Sequence, residues 1–125
     1  EMRRALYVSA EQDRVNQAVK AIKKGSVKDL GNLILKTHDG LSKLYEVSTA
    51  ELDILVEEAI NMDGVMGVCM IGTGFGGGVL MFLKKTEVEN VIENLYSKYK
   101  EKTRRDADVY IVKPSNGARI LPIEE

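Results

Sequence analysis

Helices and strands are segregated along this sequence instead of alternating regularly, an ordering that predicts an α+β domain. Three observations carry the prediction. Three amphipathic helical stretches precede the first long strand-like run; two apolar runs flank a glycine-dense loop, as in an antiparallel pair; and a β-rich run follows a fourth helical stretch. The expected architecture is ferredoxin-like: an antiparallel sheet with helices on one face and extra helices at the N-terminus. Residues 1–125 read as one domain, long enough to bury roughly two thirds of its unfolded surface.

In chain order, Leu6-Tyr7-Val8 reads as a short strand. Ser9 and Gln12 then form a capping box, and Val15, Ala18, Val19 and Ile22 recur at helical spacing as far as Gly25. Ser26, with Asp29 in the first turn, opens a second helix whose apolar face runs Leu30, Leu33, Ile34, His38, Leu41 and Leu44; Gly31 and Gly40 are weak points in it. Ser48-Thr49-Ala50-Glu51 caps a third helix, which carries Leu52, Leu55, Val56, Ala59 and Ile60 to a stop at Gly64. Val65 to Ile71 and Val79 to Leu83 are strands joined by the glycine loop. Thr86 and Glu89 cap a fourth helix bearing Val88, Val91, Ile92, Leu95 and Tyr99. Asp108 to Val112 is expected as a third strand, Pro114-Ser115-Asn116-Gly117 as a turn, and Ala118 to Leu121 as a returning edge strand.

The formal charge is −1, from 18 basic and 19 acidic residues, so no global field favours nucleic acid or an anionic membrane. Lys84-Lys85 and Arg104-Arg105 are short basic pairs at the ends of elements. A single cysteine excludes an internal disulfide. With no leader and no apolar run of about eighteen residues, the chain is expected to be cytosolic and soluble. The first residue is Glu1 and not Met, in keeping with a piece of a larger protein.

No self-contained catalytic or metal site is expected. His38, the only histidine, stands among apolar helix positions and reads as a satisfied core or interface residue; no cysteine or second histidine lies at ligand spacing. Cys69 reads as an inert strand cysteine, and Glu51, Asp53, Glu57 and Glu58 as a solvated helix face. The glycine loop resists such readings, because it sets five glycines within seven residues, Gly72 to Gly78. Gly72, Gly74 and Gly77 satisfy G-x-G-x-x-G, but a strand follows where a dinucleotide loop needs a helix, and no Lys-Ser or Lys-Thr closes a P-loop. A tight hairpin needs one or two glycines. The excess points to close approach of a ligand or a second backbone, with exposed amides able to form an anion nest. Gly72, Thr73, Gly74, Phe75, Gly76 and Gly77 are therefore the candidate binding residues, half of a site that lacks a base, a nucleophile and a metal.

The segment Gly67 to Gly78 resembles the third conserved motif of the GHMP kinases, and within them the galactokinase family, which reads approximately G-A-R-M-T-G-A-G-F-G-G-C. Gly67, Met70, Gly72, Gly74, Phe75, Gly76 and Gly77 stand in register. Thr37-His38-Asp39-Gly40-Leu41 and Tyr45-Glu46-Val47-Ser48-Thr49-Ala50-Glu51-Leu52-Asp53 are similar to that family's S-H-x-S-L-x-x-x-Y-E-V-S-x-x-E-L-D at the same spacing. Lys113-Pro114-Ser115-Asn116-Gly117-Ala118 resembles its C-terminal P-S-x-G-A, and Arg3-Arg4 through Val15 and Gly25 its arginine-rich opening, so the likeness covers nearly the whole chain.

The resemblance implies the C-terminal domain of a galactokinase-like protein whose N-terminal domain carries the sugar signature, the P-x-G-x-x-S-S-A phosphate loop and a catalytic Asp with its Arg. None of these occurs here. It implies that the parent uses ATP and Mg2+ to phosphorylate a galactose-like sugar at the anomeric hydroxyl, with the glycine loop at the domain cleft positioning and not catalysing. The implied partners are that N-terminal domain, the sugar and ATP, and the implied exposed half-interface around Phe75 and His38 favours self-association of the isolated chain. Four positions depart from the pattern: Cys69 replaces Arg, Ile71 replaces Thr or Ser, Thr73 replaces Ala or Gly, and Gly78 replaces Cys. They leave open another sugar or sugar-phosphate kinase, a galactokinase-like sugar sensor without turnover, or a free-standing ferredoxin-like binding module.

Overall fold

The structure, a computed structural model, describes residues 1–121. Four α-helices, α1 (Met2–Lys23), α2 (Val27–Gly40), α3 (Ala50–Ile60) and α4 (Val88–Thr103), surround one antiparallel pair, β1 (Val65–Ile71) and β2 (Gly78–Leu83). A π-helical turn, Leu41–Tyr45, extends α2, and a 3-10 turn, Lys85–Glu87, leads into α4. The pairing runs from Val65 opposite Leu83 to Ile71 opposite Gly78, with a bulge at Met66.

The sheet has a packed face and an open one, as strand alternation requires. Val68 and Met70 of β1, with Val79 and Met81 of β2, point toward α3 and α4 and meet Val56, Ala59, Leu52 and Leu95. Glu58 of α3 binds Lys98 at 3.3 Å and also Lys102, which ties α3 to α4 beside that core. Gly67, Cys69, Ile71, Leu80 and Phe82 point the other way and, with Ile34 and Thr37 of α2, line an apolar groove of about 250 Å³.

Helix α2 lies along the free edge of β1, and its two glycines are contact points rather than weak points. A Cβ on Gly31 would fall 2.7 Å from the carbonyl carbon of Met66, and one on Gly67 would fall 3.1 Å from the Gly31 Cα, so helix and strand touch backbone to backbone. A Cβ on Gly40 would meet the Tyr7 ring at 2.6 Å. Ser26 caps α2 by accepting from the Asp29 N–H, and Thr49 caps α3 by accepting from the Leu52 N–H.

The expected strand Leu6-Tyr7-Val8 is helical. Tyr7, Arg14 and Ala21, spaced by sevens, form the inner side of a 22-residue helix, and Tyr7 packs on Gly40 and stacks at 5.2 Å on Tyr45. Tyr7 and Val8, two β-formers flanked by helix formers, follow the packing and not their propensity. Ser9 and Gln12 sit inside this helix and cap nothing, and α4 starts without a side-chain cap from Thr86. Among the described residues the expected third strand, Asp108 to Val112, and the edge strand, Ala118 to Leu121, are unpaired, and the sheet has two strands. Arg104 ends α4 in the left-handed conformation, and Asp106 is then held by Tyr96 and Lys100 of that same helix. The chain is thereby directed along α4, and a β-rich segment without a neighbouring ladder gains no hydrogen bonds from being extended.

The α2–β1 contact makes a sign-sensitive prediction. In an isolated helix Ala is more stable than Gly by about 1 kcal/mol. Here Gly31→Ala is expected to destabilise the chain by about 2 kcal/mol, because the methyl meets strand backbone that cannot rotate away. Urea denaturation of the two proteins measures this; equal or greater stability of the alanine variant contradicts the close approach.

Candidate functional site

The loop between the strands, residues 72–77, takes left-handed backbone at Gly72 (φ +78°), Gly74 (φ +88°), Phe75 (φ +59°), Gly76 (φ +130°) and Gly77 (φ +91°). Side chains other than glycine rarely adopt such angles, and Phe75 is the exception that marks strain. Its amide donates to the Val47 carbonyl at 2.7 Å, and its ring is 76% exposed. The loop is thus pinned at the backbone of Phe75 while its aromatic ring stands in solvent.

The loop glycines divide into two kinds. Gly74 meets its own chain: a Cβ there would fall 2.7 Å from the Val47 Cβ and 3.0 Å from the Val47 carbonyl carbon. Part of the expected backbone approach is therefore internal. Gly72 and Gly76 have nothing within 4 Å of a Cβ position, so packing within the described residues does not account for them. Thr73 is exposed beside them. The six predicted residues form one continuous rim, and outside the strand ladder Phe75 is the loop amide that finds a backbone acceptor among the described residues.

Beneath the loop lies a polar network centred on Asp53, whose side chain is 45% exposed, in keeping with its solvated helix face. His38 is 5% exposed. Its Nδ1 accepts the Met70 N–H at 3.3 Å, and its Nε2 lies 3.1 Å from Asp53 Oδ1. A nitrogen that accepts carries no proton, so the imidazole is the Nε2–H tautomer and donates to Asp53. Ser48 Oγ donates to Asp53 Oδ1 at 2.6 Å and Ser42 Oγ to Oδ2 at 2.9 Å. His38 is a satisfied core histidine, as its apolar neighbours predict, and it is not part of an exposed half-interface. The helical repeat placed Asp53 on an acidic face; the available signal was its position in the motif ending Glu51-Leu52-Asp53. His38, Asp53 and Ser42 also border a cleft of about 480 Å³ between α2 and α3.

Cys69 stands on the open sheet face, half-buried, and not in the loop. Burial, with a smaller contribution from the Glu11 carboxylate, pushes its thiol up to about 11. Burial also raises Tyr7, to about 12, and Glu11 adds to it. Glu11 itself accepts from Thr37 Oγ1 at 2.8 Å. Ile71, beside Cys69 on the open face, is half exposed. Cys69 and Ile71, two of the positions that depart from the family pattern, therefore line the groove on the open face. Among the described residues no three His, Cys, Asp or Glu side chains converge as a metal site, and no helix is long and apolar enough to cross a membrane.

This arrangement of helices around an antiparallel pair closed by a glycine rim defines the class. Residues 18–101 match the family described as GHMP kinases C terminal, and the chain belongs to that family. It is similar to galactokinases: 34% identical over 117 residues to that of Thermotoga neapolitana, covering 94% of this chain and 33% of the relative. Against the galactokinase of Limosilactobacillus reuteri it is 38% identical over 120 residues, covering 96% of this chain and 31% of the relative. The crystal structure of Lactococcus lactis galactokinase complexed with galactose superposes with a TM-score of 0.76 at 33% identity, over 78% of this chain and 25% of that one. The chain thus spans about a third of the length of the curated relatives it matches.

The weakened acidities of Cys69 and Tyr7 fix a pH dependence. A thiol and a phenol that hold their protons more tightly when folded contribute stability that is complete below their ordinary values, 9.0 and 10.0, and that is lost as pH rises toward 11 and 12. The urea midpoint should decline above about pH 9, and less steeply in Tyr7→Phe. At pH 8 the folded chain should show about 100-fold less thiolate than free cysteine and alkylate correspondingly slowly, reaching normal rates in urea. Rapid alkylation of the folded protein contradicts the assignment.

Proposed function

We propose that this chain is the C-terminal domain of a galactokinase, whose parent transfers the γ-phosphoryl group of MgATP to the anomeric hydroxyl of galactose or a closely similar sugar. The observation that carries the reading is the glycine rim. Gly72 and Gly76 hold backbone angles that other residues avoid and have open space above them, as a loop needs when a phosphate or a second backbone lies against it. The galactokinase relatives and the three ordered motifs support the same assignment.

In this reading Gly72, Thr73, Gly74, Phe75, Gly76 and Gly77 position the phosphate region at the cleft with the N-terminal domain. Backbone amides suit an anionic phosphate, whereas the rim carries no carboxylate for Mg2+ and no base. The residues that hold the cation and accept the hydroxyl proton belong to the rest of the parent. When bound, MgATP supplies the transferred phosphoryl group; this domain's share is orientation and exclusion of water. The exposed Phe75 ring and the open sheet face around Ile71 and Leu80 are the surface on which the rest of the parent seats.

The isolated chain is expected to consume no ATP with galactose above a protein-free control; turnover by the purified chain overturns the division of labour. In the full-length parent the informative variant is Gly72→Ala. Gly74 contacts Val47, so replacing it disturbs the domain itself, whereas Gly72 is open. The left-handed angle costs an alanine about 1–2 kcal/mol, which the fold tolerates. Turnover should nevertheless fall by about 100-fold, the scale of a positioning element displaced by about 1 Å. A folded Gly72→Ala parent with unchanged kcat assigns the glycines to the hairpin alone. An inactive wild-type parent that still binds galactose identifies a sensor.

A further inference from the structure

The loop cannot owe its position to itself: it is short, its backbone is in sparsely populated conformations, and its one aromatic ring stands in solvent. Both of its anchors lead to a single carboxylate. Upstream, Met70, two residues before Gly72, gives its N–H to His38 Nδ1, and His38 Nε2 is bound to Asp53 Oδ1. Downstream, Phe75 gives its N–H to the Val47 carbonyl, and the next residue, Ser48, gives its hydroxyl to the same Asp53 oxygen at 2.6 Å. The path from Asp53 through His38, Met70, the loop, Phe75, Val47 and Ser48 returns to Asp53. Ser42 donates to the other carboxylate oxygen at 2.9 Å, so both oxygens are engaged.

We propose that His38 is a positioning residue for the glycine rim, acting as a two-sided clip that accepts the edge amide of β1 at Nδ1 and donates to Asp53 at Nε2. The proposal rests on the reading of the rim as the phosphate-facing site. Imidazole suits the task because its two nitrogens bond in opposite directions at a fixed separation, Nδ1 holding the strand amide and Nε2 orienting the ring. An apolar side chain leaves the Met70 N–H unpaired at a buried strand edge, and a side chain with one polar end serves one partner alone. The neighbouring contact of Gly31 with the Met66 backbone holds α2 close enough for the imidazole to reach.

Three substitutions separate the halves of the clip. His38→Asn retains an acceptor where Nδ1 stands, His38→Gln retains a donor toward Asp53, and His38→Leu retains volume alone. In the 125-residue chain, nitrogen-15 spectra of His38 should show the Nε2–H tautomer. Amide exchange at Met70 should quicken by at least ~10-fold in the Gln and Leu variants, with the Asn variant close to wild type. Ser48→Ala, which leaves the imidazole in place and removes the other partner of the same Asp53 oxygen, should instead quicken exchange at Phe75, and it provides a test if a His38 variant fails to fold. In the full-length parent, kcat should fall about 10- to 100-fold in Gln and Leu with the sugar KM little changed, and Asn should restore most of the loss. A protonated Nδ1, or an Asn variant no better than Leu in both exchange and kcat, overturns the clip. If the exchange pattern is as expected while kcat is unmoved in every variant, the clip exists but the rim is not the site; that outcome overturns the positioning role together with the functional reading on which it rests.

Discussion

The hydrogen bond from the Met70 amide to His38 is the contact on which the arrangement depends. A two-stranded sheet has two free edges, and the amides along a free edge cannot be left buried without partners. In this protein a helix covers the β1 edge, although a helix surface offers no ladder of its own. The solution uses two residue types. Gly31 removes the side chain that would hold α2 away from the strand, and His38, two turns later, supplies the acceptor that the strand edge lacks. Asp53 then satisfies the outer side of the imidazole and joins the edge to α3.

This construction explains why an exposed glycine-rich loop can hold one shape. Glycines lower the cost of left-handed backbone but raise the entropy lost on ordering it. The order is imposed from below, by the β1 ladder on one side and the Val47–Phe75 bond on the other. The glycines consequently have separate causes: Gly74 makes room for Val47 inside the chain, while Gly72 and Gly76 leave room for something outside it. A single glycine-dense motif thus combines a packing requirement at Gly74 with open surface at Gly72 and Gly76.

The distribution of apolar surface fits a domain that is a third of its relatives' length. The face toward α3 and α4 is packed, with Val68 and Ala59 fully buried, whereas Ile71 and Leu80 on the opposite face are half exposed. Val8, Val15, Val19 and Ile22 form an exposed stripe on α1, off the side that Tyr7 and Ala21 bury. The segment Val109 to Val112 has β-forming residues and no ladder to join. The sheet and α1 each have one side satisfied within the described residues, whereas Val109 to Val112 is exposed throughout.

Local signals determined a good deal. The turns at Gly25 and Gly64, the Ser26 and Thr49 caps, the antiparallel pair and the left-handed loop were legible because each depends on residues within a few positions of one another. The glycine rim was legible for the same reason: its backbone angles are a property of its own residues. The order of motifs along the chain likewise identified the family before any contact was known. Tertiary structure decided the remainder. Tyr7 belongs to a helix because Gly40 and Tyr45 receive its ring, and Asp108 to Val112 is no strand because it meets no ladder among the described residues. Asp53 keeps the partly solvated side chain that helical periodicity assigns to it, but only packing makes it the centre of a polar network, because His38, Ser42 and Ser48 reach it from separate segments. Short-range geometry is encoded in residue type, but a partner 15 or 32 positions away, as Asp53 and Met70 are for His38, is chosen by packing.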